Sequence, residues 1–214
     1  MSLKEELEFI MTKDPSMKSK LEALLCSPGL HAIIFHKIAH KLYNKKCYLG
    51  ARIIATISRF LTGIDIHPGA KIGKCVFIDH GSGVVIGETA EIGNKVVIYQ
   101  GVTLGGTQLV KAKRHPTVGN NVVIGANSTL LGPIKVGDNV VIGAGSVVTE
   151  DVPEGGIVVG VPGRVIKIYG KRVEQPDLSK LPDPMAQVMK CLLSRIDEIE
   201  AEVKELREKL EKRQ

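Results

Sequence analysis

The chain has 214 residues, with 29 Lys and Arg against 23 Asp and Glu, a formal net charge of +6. Hydrophobic residues at 43% and charged residues at 24% describe an ordinary globular chain and argue against both disorder and a membrane protein. Aromatics at only 4%, with no Trp, argue against a nucleic-acid partner held by base stacking, so the positive excess needs a different anion.

Residues 1–62 read as a helical region. Met1 to Lys13 is a charged helix rather than a signal peptide, and the apolar run Ile53 to Leu61 is too short to span a bilayer and carries Arg59. A cytoplasmic location with no membrane partner is therefore expected. Leu30 to Leu61 is amphipathic, with Ile33, Phe35, Ile38, Ala39 and Leu42, then Ile53, Ile54, Ile57 and Leu61, as its apolar positions. Its expected task is to cap the open end of the domain that follows. His36 and His40 are one helical turn apart without a third ligand nearby in sequence, which favours packing or surface histidines over a metal site. Cys26, Cys47, Cys75 and Cys191 form no CxxC pair, so four reduced thiols are expected, with Cys75 closest to the residues of interest.

From residue 63 to 168 a six-residue period takes over. Aliphatic residues recur at Ile66, Ile72 and Ile78, at Ile86, Ile92, Ile98 and Leu104, and at Val118, Ile124, Leu130, Val136, Ile142 and Val148. Gly follows most of them. Six residues fit neither a helical turn nor simple alternation, but they do fit a coil with three flat faces. The expected fold is a parallel β-helix, mainly β, with each aliphatic residue at a corner pointing inward and Gly supplying the turn.

The period breaks twice. Ile78 to Ile86 spans eight residues, so two extra residues bulge around Asp79-His80-Gly81-Ser82-Gly83. Leu104 to Val118 spans fourteen, giving an eight-residue excursion that includes Gly106, Thr107, Lys113, Arg114 and His115. Polar loops leaving a rigid scaffold are where binding and chemistry concentrate.

A Pro-rich linker over residues 169–184 leads to a C-terminal helix over 185–214. There Met189, Ile196, Val203 and Leu210 alternate with Met185, Leu192, Ile199 and Leu206 in a heptad pattern. A parallel pairing sets Arg195 opposite Glu200 and Glu202 opposite Arg207, so a coiled coil on a threefold axis is expected.

Asp65-Ile66-His67-Pro68, Asp79-His80, Gly87-Glu88-Thr89-Ala90, the run from Gln100 to Thr107, and Arg114-His115-Pro116, with Lys13-Asp14-Pro15 and Gly160-Val161-Pro162, closely resemble the serine O-acetyltransferases. These belong to the left-handed β-helix acyltransferases, and the resemblance covers about residues 10 to 168. It implies a left-handed prism and transfer of acetyl from acetyl-CoA, a co-substrate, to L-serine, with no metal. A serine hydroxyl must lose its proton as it attacks, so a base with a pKa near 7 is needed, and His80 is the candidate. By resemblance Asp65 accepts the other ring N–H of His80, as the carboxylate does in a hydrolase triad. Counting coils puts both residues near one edge.

The resemblance also assigns Asp14 and Asp79 to the serine ammonium, and Arg114 with His115 to its carboxylate, where a planar guanidinium suits two-point pairing. The Gly105-Gly106-Thr107 turn is expected on the acetyl-CoA side, with a backbone N–H for the developing oxyanion. Gly125-Ala126 and Gly143-Ala144 are expected along the pantetheine arm, and Arg164, with Lys167, Lys171 and Arg172, near the CoA phosphates. The resemblance further implies a homotrimer with active sites between prisms and feedback inhibition by L-cysteine. Longer members form hexamers and end in an Ile that docks into O-acetylserine sulfhydrylase. The short helical region and the ending Leu210-Glu211-Lys212-Arg213-Gln214 make a trimer the expectation and leave that sulfhydrylase partnership doubtful. Competing readings are a sugar or antibiotic acetyltransferase, a zinc carbonic anhydrase using His67, His80 and His115, and a non-catalytic trimerisation scaffold.

Overall fold

The computed structural model describes residues 3–172 together with residues 194–196, 199 and 203. They fall into two units, Met1–Val173 and Glu174–Gln214. In the second unit the described residues are helical, and the rest of the heptad seam lies outside the described residues, as do Cys191 and the C-terminal residues.

The first unit opens with four helices, α1 (Leu3–Lys13), α2 (Lys20–Cys26), α3 (Pro28–Asn44) and α4 (Tyr48–Thr62). Their ends follow from local chemistry. The Ser19 hydroxyl accepts the Glu22 N–H at the start of α2, and the Ser27 hydroxyl accepts the Leu30 N–H at the start of α3, where Pro28 supplies a ready helical φ. Gly63 closes α4 in the left-handed region at φ 71°. Among the described residues no helix is long and apolar enough to cross a membrane. Cys26 and Cys47 are exposed free thiols and Cys75 is a half-buried one.

From Asp65 onward the chain winds through short strands into three parallel faces. The first face stacks Asp65–Ile66, Val85–Ile86, Thr103–Gly105, Thr129–Leu131 and Val147–Val148. The second stacks Lys71–Ile72, Glu91–Ile92, Thr117–Val118 and Lys135–Val136. The third stacks Phe77–Ile78, Val97–Ile98, Val123–Ile124, Val141–Ile142 and Gly156–Val159, and is finished by the antiparallel strands Arg164–Ile168 and Lys171–Arg172. Val85 lies over Thr103 and Thr129 over Val147, eighteen residues per coil, whereas Asp65 pairs with Val85 and Thr103 with Thr129. The longer steps are the two- and eight-residue insertions. This is the parallel β-helix that the period implies, with the left hand that the resemblance implies.

Twelve of the thirteen periodic aliphatic residues are buried, and Ile72 is half-buried against the same core. They lie in the strands rather than at the corners. The corners are lined by a second inward set two positions earlier, including Ile64, Ala70, Val84, Ala90, Val102 and Ser128. Two faces close on each other at a corner, so this second set runs to smaller side chains than the strand set, Ile64 and Ile134 being the exceptions. The helical region also does more than cap. Ala32 and Ile33 of α3 enter the bottom of the prism core, but Leu7, Ile10, Ala23 and Leu30 pack with Phe77 and Val97 on the outside of the third face.

Candidate active site

The corner joining the third face to the first carries the two-residue insertion. His80 stands there at φ 58° and Gly81 at φ 76°, with the Gly81 N–H donating to the Asp79 carbonyl at 2.6 Å. This tight reversal carries the His80 side chain outward, where it is exposed. Gly81 has no alternative, because a Cβ there would collide with Ile64 as well as being strained. A non-glycine residue in the left-handed region costs about 1–2 kcal/mol, but Cys75, Lys95, Asn121 and Asn139 adopt it at other turns, so the two-residue insertion and not the backbone strain sets His80 apart.

Asp14 reaches this edge from the end of α1. Its carboxylate accepts the Ser16 N–H at 2.8 Å and the Ser16 hydroxyl at 2.6 Å. The Ser16 hydroxyl and N–H hold the Asp14 carboxyl below its ordinary range, and nearby His80 adds to the lowering. Asp79 and Asp65 flank the same corner. Contrary to expectation, the Asp65 carboxylate makes no hydrogen bond to His80 within the chain. It faces Arg59 of α4 at 3.4 Å, because α4 ends only three residues before Asp65 and delivers a cation to it.

The corner joining the first face to the second carries the long excursion. Its return is pinned by Thr89, whose hydroxyl accepts the N–H of Arg114 at 3.0 Å and of His115 at 3.1 Å. The Thr89 N–H points at His115 Nδ1 at 3.2 Å, and the Thr89 hydroxyl lies 2.9 Å from the same nitrogen. Nδ1 is therefore the acceptor and the neutral ring carries its proton on Nε2. Burial pushes the His115 imidazole below its ordinary pKa, with the Arg114 cation adding to the effect. The Arg114 guanidinium pairs with Glu88 at 2.5 Å and donates to the carbonyls of Val110 and Ala112. The other Glu88 oxygen accepts the Tyr43 hydroxyl at 2.8 Å. Gly105, Gly106 and Thr107 belong to this edge too, with Gly106 against Arg114 and His115.

Gly125-Ala126 and Gly143-Ala144 lie on the His80 edge, in successive coils above it. A Cβ at Gly125 would strike the backbone of Ala144, so close stacking of coils accounts for that glycine. Ala126 is half-buried and Ala144 exposed, leaving a shallow edge free of bulk. Arg164 follows the last turn of this edge, with Glu150 at 3.8 Å. A cavity of about 300 Å³ is lined by Tyr43, Glu88, Thr89 and Lys113, and another of about 320 Å³ by His36, His40, Lys41 and Lys71. Neither includes His80.

One chain thus divides the expected residues between two edges of a triangular prism. Asp14, Asp65, Asp79 and His80 share one with Gly125-Ala126 and Gly143-Ala144, whereas Arg114, His115 and Gly105-Gly106-Thr107 share the other. His80 is likewise on a different edge from His67 and His115, and among the described residues no group of three or more His, Cys, Asp or Glu side chains could hold a metal ion. Sequence reasoning gave no role to Glu88, Thr89 or Tyr43. The only signal was the Gly87-Glu88-Thr89-Ala90 motif for Glu88 and Thr89, and nothing in the sequence pattern singles out Tyr43.

The bacterial transferase hexapeptide family (six repeats) matches residues 115–150. Serine acetyltransferase of Bacillus subtilis strain 168 is 51% identical over 97% of this chain and 96% of its own length. The crystal structure of Neisseria gonorrhoeae serine acetyltransferase in complex with serine superposes with a TM-score of 0.74 at 41% identity, covering 77% of this chain and 67% of that one. A serine acetyltransferase in complex with cysteine gives a TM-score of 0.75 at 40% identity, covering 76% and 63%.

Proposed function

Since the chain belongs to the serine acetyltransferase family and so O-acetylates serine, we propose that it does this by direct attack of the L-serine hydroxyl on acetyl-CoA, with His80 as general base. His80 draws off the hydroxyl proton as the serine oxygen bonds to the thioester carbon. The tetrahedral intermediate then expels CoA thiolate, which takes the proton back from the imidazolium, leaving O-acetyl-L-serine for cysteine synthesis. An N–H of the Gly105-Gly106 turn serves the oxyanion, with Thr107 beside it. Asp65 steadies the imidazolium after exchanging Arg59 for His80. Its present partner has a side chain 67% exposed, and such a pair costs little to break.

Asp14 and Asp79 receive the serine ammonium, and Arg114 with His115 its carboxylate. The observation that carries this reading is the division of these groups between two edges. Neither edge of one prism suffices, and prisms packed side by side about a threefold axis set the His80 edge of one against the Arg114 edge of the next. Exposed Leu49, Ile53, Ile57 and Phe60 on α4, which runs to the His80 edge, supply apolar surface for such packing. The coiled coil expected over 185–214 belongs to the same proposal, as do the functional limits 1–62, 63–168 and 169–184.

Acetyl-CoA lies along Gly125-Ala126 and Gly143-Ala144 towards Arg164. L-cysteine differs from serine only in SH for OH and competes for the same pocket, which the relative crystallised with cysteine supports. A cytoplasmic location follows its metabolite substrates. Thiol release from acetyl-CoA, dependent on L-serine and abolished in His80→Ala, tests the reading. Release with sugars or amines but not serine would overturn the acceptor, and full activity in His80→Ala would overturn the base.

A further inference from the structure

We propose that Tyr43 and Glu88 form a positioning relay that aims the guanidinium of Arg114 at the substrate carboxylate, an inference that rests on the reading of Arg114 given above. Arg114 has five N–H donors. Those on Nη1 face the carbonyls of Val110 and Ala112, and one on Nη2 goes to Glu88. Among the described residues nothing takes Nε–H or the second Nη2–H, which leaves both for a ligand. What they face depends on the angle of the guanidinium plane, which the Glu88 carboxylate controls.

Glu88 is itself held at both oxygens. One takes the Arg114 fork and the other takes the Tyr43 hydroxyl, so the carboxylate cannot swing without breaking one bond. Tyr43 is fixed in turn. Its ring makes edge contacts with Tyr48, centroids 5.0 Å apart, and with His67, 5.7 Å apart. One turn earlier on α3, His40 Nδ1 donates to the Pro68 carbonyl at 2.7 Å, tying the helix to the prism edge. The chain of contacts therefore runs from a helix to the guanidinium of Arg114. Arg114 and Glu88 side chains are 22% and 32% exposed, shielded enough for the pair to hold its geometry. The Arg114 and Tyr43 hydrogen bonds keep the Glu88 carboxyl below its ordinary range, so it stays ionised where the enzyme works.

Neither Tyr43 nor Glu88 touches substrate in this scheme, and both act through Arg114. A purely structural latch between α3 and the loop makes different predictions, as does a Glu88 that competes with substrate for Arg114. The test is the dissociation constant for L-serine, measured by calorimetry on the full chain. The variants are Tyr43→Phe, Glu88→Gln, Arg114→Ala and the Tyr43→Phe/Arg114→Ala pair, with the KM for acetyl-CoA and the melting temperature measured alongside.

Tyr43→Phe is expected to weaken serine about 3- to 10-fold and Glu88→Gln about 10-fold or more, with the acetyl-CoA KM within about twofold of the parent. Once Arg114 is Ala, Tyr43→Phe should change serine affinity no further. Unchanged serine affinity in Tyr43→Phe would overturn the relay, as would tighter serine binding in Glu88→Gln or an equal loss with Arg114 absent. Unchanged serine affinity in Arg114→Ala would instead overturn the assignment of Arg114 itself.

Discussion

Gly87 and His115 meet with no space between them: a Cβ on residue 87 would overlap Cδ2 and Nε2 of the imidazole. The ring lies across the Gly87 backbone with Nδ1 anchored on Thr89, so the absence of a side chain at position 87 sets where Nε2–H points. Gly87→Ala should tilt the ring, raise the KM for serine and lower stability by about 1–3 kcal/mol, an overpacking cost. Serine kinetics and a denaturation midpoint check this. A variant with parental values for both would mean the ring position does not matter.

If the site is completed by a neighbouring prism, His80→Ala and Arg114→Ala chains should each be inactive yet complement one another. After mixing and reassociation, about a quarter of the clefts should pair an intact His80 edge with an intact Arg114 edge, restoring roughly that share of activity. No recovery in mixtures shown by mass to be heterologous would place both residues in one protomer's site.

Ala144 is exposed on the His80 edge, so a large side chain there fits without disturbing the prism core. Ala144→Trp is expected to raise the KM for acetyl-CoA at least about tenfold while leaving serine affinity near the parent value. Parental acetyl-CoA kinetics in this variant would move the cofactor arm to another edge.

Burial holds the His36 imidazole down to about 4, with His40, His67 and Lys37 nearby and the Ala70 carbonyl partly opposing the shift. The unfolded chain takes up a proton near pH 6.5 that the folded chain refuses until about pH 4. Stability from this group is thus complete above pH 6.5 and lost as the pH falls towards 4, about 3 kcal/mol in all. Urea midpoints at pH 7.5 and 5 should show the fall, and His36→Gln should flatten it. An equal fall in the variant would assign it to other groups.

The spacing of Ile86, Ile92 and Ile98 is enough to foretell three faces, and the irregular steps after Ile78 and Leu104 mark both loops that carry the candidate residues. A repeat is legible because every coil must bury the same kind of side chain at the same place, so each period restates one packing rule. The helices were less so. Ile33 and Ala39 of the expected apolar face are buried but Ile38, Ile53, Ile57 and Leu61 are exposed, and that Leu7 and Ile10 lie outside the third face depends on Phe77 and Val97, which periodicity alone counts as ordinary strand residues.

The candidate residues themselves were determined by the sequence, since Asp-His in one insertion and Arg-His in another are local facts. Which of them can act together was decided only by the tertiary structure. Winding assigns each loop to an edge through the accumulated turn of all the residues between, and it set Arg114 and His80 on separate edges. The same winding brought Tyr43, Glu88 and Arg114 into contact across 45 and 26 positions of chain. Such meetings leave no trace in local pattern, because the hydrogen bonds that join them exist only after the coils have stacked.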